Sequence, residues 1–191
     1  MKRLVLAVLG IVLMLPVLHA ENKTKKSTHK HAAAAPVDDK EIHWLTWDEV
    51  QTKMKKEPRK VWVDIYTDWC GWCKKMDATT FKNPGLVRYM NEKFYAVRFN
   101  AEKQDSIMFL GKMYVIEPQY KTNKLAVDLM RGQMSYPTGI IMEENFQNPQ
   151  ALPGYHPVSE MEMILKFMGE NTYRNQKFDE YQKVFKGNWG S

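Results

Sequence analysis

The stretch that decides the fold is Lys60–Met76, KVWVDIYTDWCGWCKKM. Its first half, Lys60–Thr67, is rich in β-branched and aromatic residues and apolar on both faces apart from Asp64, the pattern of a central strand covered on each side. Asp68 then begins a turn into a helix that carries Cys70 and Cys73 and reaches toward Phe81. A helix N-terminus has unpaired N–H groups and a partial positive charge, so a thiolate there is favoured over a thiol. Thiol pKa values in such motifs fall from about 8.5 toward about 7, and lower in strong oxidants. Cys70, at the entrance, is expected to be the attacking nucleophile, and Cys73, one turn in, the buried resolving thiol.

These are the only two cysteines in 191 residues. A bridge between residues three apart closes almost no loop and adds little stability through chain entropy. Structural zinc needs four ligands, so His43 and His156 would have to complete such a site. A c-type haem needs His directly after the second Cys, where this chain has Lys74. Redox chemistry is the reading the pair favours, with a zinc site or an inert pair as the alternatives. The thirteen methionines sit mostly at apolar helical spacings and read as core filler.

Around this centre the chain alternates strands and helices. Thr46 and Glu49 form a capping box that opens a helix to about Glu57, stopped by Pro58. Asn83-Pro84 starts a further helix to about Lys93, and Phe94–Asn100 is a second strand. Residues 104–114 are expected to be helical, 115–122 irregular, and 125–130 helical. Thr138–Met142 is a strand, paired with Ala151–Tyr155 across a turn at Asn148-Pro149. Ser159 and Glu162 read as a second capping box, opening an amphipathic helix through Met161, Ile164, Leu165 and Met168. A last helix covers about 176–186. Strands alternating with helices, closed by a hairpin, predict a three-layer α/β domain.

The ends differ from this domain. Lys2 and Arg3 precede an apolar run from Leu4 to Leu18, then Leu18-His19-Ala20 and polar sequence, the anatomy of a secretory signal peptide over 1–20. The run is shorter than the ~20 residues of a spanning helix; an uncleaved membrane anchor is the alternative. No cysteine follows it, which argues against a lipid anchor. Residues 21–40 carry five lysines against three acids and an Ala run ended by Pro36, and read as a flexible linker. His29 and His31 in it read as solvated linker residues, with weak metal binding as the alternative. The net charge of +6 resides largely in these two segments, so the domain is nearly balanced and nucleic-acid binding is not expected.

The segment VDIYTDWCGWCKKM resembles the active-site segment of the thioredoxin superfamily, with an acidic strand residue ahead of W-C-x-x-C-K. Thr80-Phe81-Lys82-Asn83-Pro84 and Ser135-Tyr136-Pro137-Thr138 extend the likeness. It is similar to exported bacterial thioredoxin-like domains, including the C-terminal domain of the transmembrane disulfide reductase, and covers roughly residues 41–172.

The resemblance implies a thioredoxin-like fold over 41–173: a central mixed β-sheet flanked by helices, with an insertion at 115–124 before the cis-proline loop and a helical C-terminal extension over 174–191. It implies that Cys70, Cys73 and Asp64 are catalytic, Asp64 as the buried base for Cys73, since burial raises a carboxylate's pKa. Arg98 matches a basic residue near that acid and either pairs with it or faces solvent. Pro137 is implied to follow a cis bond. Trp69, Gly71, Trp72, Tyr136, Pro137 and Gly154 are implied to contact substrate. The departure is Gly71-Trp72 between the cysteines, where the indole either shields the nucleophile or touches substrate. The implied activity is thiol–disulfide exchange on exported, periplasmic protein or peptide substrates, most readily as a reductase re-reduced by a membrane electron donor. An oxidase or isomerase, or a peptide-binding module without activity, are the alternatives. The cysteines carry the electrons, so no cofactor or metal is expected.

Overall fold

The computed structural model describes residues 40–103 and 106–190. The expected signal peptide, and the linker up to residue 39, lie outside the described residues. Five strands form the central sheet: β1 (Trp44–Leu45), β2 (Lys60–Tyr66), β3 (Phe94–Asn100), β8 (Thr138–Glu143) and β9 (Gln147–Pro153), in the order β1-β3-β2-β8-β9. The first three are parallel; β8 runs antiparallel to β2, and β9 antiparallel to β8. The sheet is therefore mixed, as the resemblance implied.

Two layers of helices cover it. On one face, Val61, Val63 and Ile65 of β2 pack with α1 (Trp47–Lys56) and α4 (Lys124–Leu129). On the other, Trp62 packs with α2 (Gly71–Ala78), α3 (Pro84–Lys93) and α5 (Val158–Gly169). Side chains alternate across a strand, so Asp64 points to the same face as Trp62, the face that carries the cysteine helix. Register places Asp64 between Arg98 of β3 and Gly139 of β8. Gly139 has no room for a side chain: a Cβ there would sit 2.2 Å from the Trp62 ring.

Local signals set several boundaries. The Thr46 hydroxyl accepts the Glu49 N–H at 3.2 Å and the Glu49 carboxylate accepts the Thr46 N–H at 2.8 Å, completing the capping box of α1. Asn83 Oδ1 accepts the Leu86 N–H at 3.0 Å, and Pro84 occupies the first turn of α3.

Four readings are corrected. The helix expected over 104–114 is instead, from residue 107, a hairpin of β4 (Ile107–Phe109) and β5 (Lys112–Tyr114). Leu110 and Gly111 have φ of +50° and +79°, the backbone of a tight two-residue turn, which no helix accommodates. Phe109 points inward against Trp47 and Phe146, whereas Met108 and Met113 pair on the exposed face. The segment expected to be irregular forms a small ladder of β6 (Ile116–Glu117) and β7 (Thr122–Asn123). The β8–β9 turn lies at Glu144–Phe146, not at Asn148-Pro149; Pro149 lies within β9, an edge strand that tolerates a residue lacking an N–H. Finally, Ser159 and Glu162 form no capping box. Pro157 precedes α5 without a side-chain cap, and Glu162 is buried. Its carboxylate accepts from Lys166 Nζ and from the backbone N–H groups of Asn188 and Trp189.

Those contacts hold the C-terminal extension. α6 (Phe178–Val184) packs through Phe178 and Tyr181 on Phe167 of α5. The chain beyond it returns to α3, where Asn83 Nδ2 donates to the Trp189 carbonyl at 2.8 Å and the Trp189 indole lies on Tyr89. Gly85 leaves the space for that ring; a Cβ would meet it at 2.5 Å.

Candidate active site

The turn after β2 delivers the cysteines to the head of α2. The Cys70 N–H donates to the Thr67 carbonyl at 3.2 Å, and Cys70 takes the N-cap position with extended backbone. Its Sγ accepts the Cys73 N–H at 3.0 Å, so one orphan donor of the helix start points at that sulfur. Cys70 and Cys73 are joined by a disulfide. Sequence reasoning distinguished them by depth, yet both are 3% exposed. In this oxidised form the helix end separates them, not burial.

Two aromatic walls adjoin the cysteines along the chain. Trp69 is 66% exposed; its indole N–H donates to both Glu102 carboxylate oxygens at 2.9 and 3.0 Å, and its edge meets Tyr136 at 5.7 Å between ring centres. The Tyr136 hydroxyl lies 3.3 Å from that of Thr122, on the inserted ladder. The second is formed by Trp72, between the cysteines in sequence, which is 56% exposed and rests on Tyr155 at 5.5 Å, with Lys75 Nζ 4.7 Å from the indole centre and 5.1 Å from the phenol centre. The Tyr136-Pro137 peptide is cis. The Gly154 N–H donates to the Pro137 carbonyl at 2.8 Å, and Gly154 has φ of +96°, a conformation that favours glycine. Gly71 faces open space. The structure thus links the segments around Trp69–Cys73, Tyr136-Pro137 and Gly154-Tyr155. Glu102, Thr122, Lys75 and Tyr155 were not singled out from sequence. Only Lys75 had a local signal, three residues after Trp72 and hence on the same helix face.

Beneath the cysteine helix lies an acid–base–acid row. Asp64 is buried, and no hydrogen bond among the described residues reaches its carboxyl. Arg98, the next strand's partner in register, brings Nε to 3.5 Å from Asp64 Oδ2. That distance is an ion pair but too long for a good hydrogen bond, and among the described residues the buried Nε has no hydrogen-bond partner. Arg98 Nη2 instead donates to Asp77 Oδ2 of α2. The guanidinium carbon lies 4.6 Å from the Tyr66 ring centre and 5.4 Å from that of Trp44. Of the two placements weighed for Arg98, the structure has the inward one. Burial pushes the Asp64 carboxyl up to about 7, with Arg98 pulling down against it and Asp77 adding to the rise. A carboxyl tuned so high exchanges its proton near neutral pH.

The histidines weighed as zinc ligands lie elsewhere in the fold. The His43 N–H donates to Asn91 Oδ1 beside α3. The His156 ring faces the Leu152 carbonyl and Glu160, and its own carbonyl accepts the Thr80 hydroxyl. Among the described residues no three His, Cys, Asp or Glu side chains gather as a metal site.

A thioredoxin-fold protein from Helicobacter pylori overlays with a TM-score of 0.51 at 20% identity, covering 65% of this chain and 78% of that one, a likeness of fold. The C-terminal domain of DsbD from Neisseria meningitidis, reduced form, overlays with a TM-score of 0.40 at 18% identity, covering 69% and 100%. Spermatogenesis-associated protein 20 of Mus musculus is 28% identical over 67 residues, 35% of this chain. That match spans 8% of the mouse protein's length. The profile of the family described as Thioredox_DsbH, protein of unknown function DUF255, matches residues 23–183, and this chain belongs to that family.

Proposed function

We propose that the protein is a thiol–disulfide oxidoreductase acting on exported protein or peptide disulfides, as a reductase. The observation that carries this is the Cys70–Cys73 disulfide at the head of α2, with the Cys70 sulfur receiving the helix N–H. That donor favours negative charge on the Cys70 sulfur. In the reducing direction, the Cys70 thiolate attacks a substrate disulfide; the Cys70–substrate S–S bond forms and the first substrate sulfur leaves as a thiolate. Cys73 then gives its proton to Asp64, and its thiolate attacks Cys70 Sγ. The Cys70–Cys73 bond forms, the mixed disulfide breaks, and the second substrate sulfur leaves as a thiolate that takes up a proton. Two electrons have moved to the substrate, and an external dithiol donor, such as a membrane electron carrier, restores the enzyme.

The exposed Trp69 and Trp72 support a substrate role for the walls beside the pair, together with Gly71, Tyr136, Pro137 and Gly154. An extended peptide entering between them meets two apolar faces, which supports protein or peptide substrates over small thiols. Export through residues 1–20, either as a signal that is cleaved or as an anchor that is retained, belongs to the same reading and is tested by cell fractionation.

The test is insulin reduction with dithiothreitol as donor. Wild type is expected to turn over and Cys70→Ser to be inert; equal rates for the two overturn the proposal. Cys73→Ser is expected to trap substrates as mixed disulfides while Cys70→Ser does not. The reduction potential of the pair decides direction: each 30 mV is about tenfold in equilibrium for two electrons, and a value near those of strong oxidants refutes the reductase.

A further inference from the structure

The row Asp64–Arg98–Asp77 holds more than an acid and its counter-ion. Arg98 lies between two carboxylates and divides itself unequally. Its hydrogen bond goes to Asp77, while Asp64 receives only the 3.5 Å approach of Nε. Two rings, Tyr66 and Trp44, hold the guanidinium laterally, so its position is set by what it bonds to at either end. Asp77 stands four residues after Cys73 on α2, and therefore on the same helix face one turn on. It is about a third exposed, whereas the Asp64 side chain is 3% exposed.

We infer that Asp77 is a positioning residue for the proton acceptor of the resolving step: by taking the Arg98 hydrogen bond it holds the guanidinium off Asp64 and keeps that carboxyl able to accept and return a proton. The inference rests on the proposed role of Asp64. The physical argument has two parts of the same sign. Without the Asp77 charge, Asp64 loses a like charge that disfavours its ionisation. Without the Asp77 hydrogen bond, Arg98 is free to close the gap and bond Asp64 directly, which favours ionisation further. An Asp64 ionised at all working pH values is a weak base for a thiol. Among the described residues the charged groups that act on Asp64 are Arg98 from β3 and Asp77 from α2, and β8 places Gly139 beside it; the Cys73 thiol joins them only through the proposed resolving step.

The test follows the Asp64 carboxyl directly, by carboxyl-carbon NMR of the full chain titrated from pH 4 to 9 in the oxidised form. Alongside it, the pH profile of single-turnover insulin reduction by the reduced form is recorded. Asp77→Asn is expected to lower the Asp64 midpoint by about one pH unit, tenfold in its ionisation ratio, and to slow resolution. Asp77→Glu keeps the charge and restores both, and Arg98→Gln moves the midpoint the opposite way. A midpoint unchanged in Asp77→Asn overturns the inference, as does a uniform loss of rate without movement of the profile. Failure of the functional reading looks different: wild type then reduces no insulin, while the NMR midpoint still decides the part played by Asp77.

Discussion

Replacing Asp64 by Asn is expected to make the protein more stable and less active, and the size of the gain follows from burial. In the fold the carboxyl is raised from 3.8 to about 7, a difference of about three units. At about 1.36 kcal/mol per unit, ionising Asp64 in the folded protein costs about 4 kcal/mol that the unfolded chain does not bear. The group's folded value lies above its unfolded one. Its contribution is thus fully present below about pH 4, where both states are protonated, and is lost as the pH rises through about 7. Asn resembles the protonated acid in shape and hydrogen-bonding capacity but never ionises. Oxidised wild type and Asp64→Asn should therefore be nearly equal in stability at pH 4, with the variant ahead by about 4 kcal/mol at pH 8. For a chain of this size that is about 8–16 °C in melting temperature. Urea unfolding of both proteins at pH 4, 6 and 8 gives the difference directly, since groups that titrate identically in the two cancel. A gap that does not grow between pH 4 and pH 8 would falsify the claim that Asp64 is held against its charge, and with it the argument for Asp64 as a base at neutral pH.

Two further perturbations probe the frame around the site. Burial acts to raise the Glu162 carboxyl, but Lys166 and the N–H groups of Asn188 and Trp189 outweigh it and hold the carboxyl below the usual carboxylate range. Glu162→Gln should cost roughly 1.5–3 kcal/mol at pH 7 by weakening charge-assisted hydrogen bonds; the loss should shrink as wild-type Glu162 itself protonates in acid, and equal losses in thermal melts at pH 7 and pH 3 would contradict the role of the charge. Gly139→Ala forces a methyl group into the Trp62 ring, which is wholly buried, and should cost about 1–3 kcal/mol. Adding Trp62→Phe should recover part of that loss in a double-mutant cycle, and strict additivity would show that the clash is not with Trp62.

The sequence alone determines the features whose hydrogen bonds close within a few residues. The capping box Thr46/Glu49 and the start Asn83-Pro84 place α1 and α3, because the caps satisfy donors in the same turn. The run Lys60–Thr67, apolar on both faces apart from Asp64, declares a central strand, and the spacing Cys70-x-x-Cys73 after it puts both sulfurs in the first turn of a helix. Motifs of that local kind carried the resemblance to the thioredoxin superfamily and the expectations for Asp64 and Pro137. Tertiary structure decided what depends on partners far along the chain. Residues 107–114 are too short an apolar run to declare a helix or a hairpin, and Phe109 becomes a strand residue because Trp47 and Phe146 receive it. Glu162 matched a capping pattern with Ser159, yet two backbone N–H groups more than twenty residues away and the Lys166 ammonium offer its buried charge more than one cap could. Arg98 was legible as a neighbour of Asp64, but its sharing with Asp77 was not. That sharing depends on how a helix end lies over a strand, and in the buried interior a shift of about an ångström separates a hydrogen bond from an ion pair. The cysteines mark where chemistry is expected to occur; the packing beneath them sets how readily Asp64 holds a proton there.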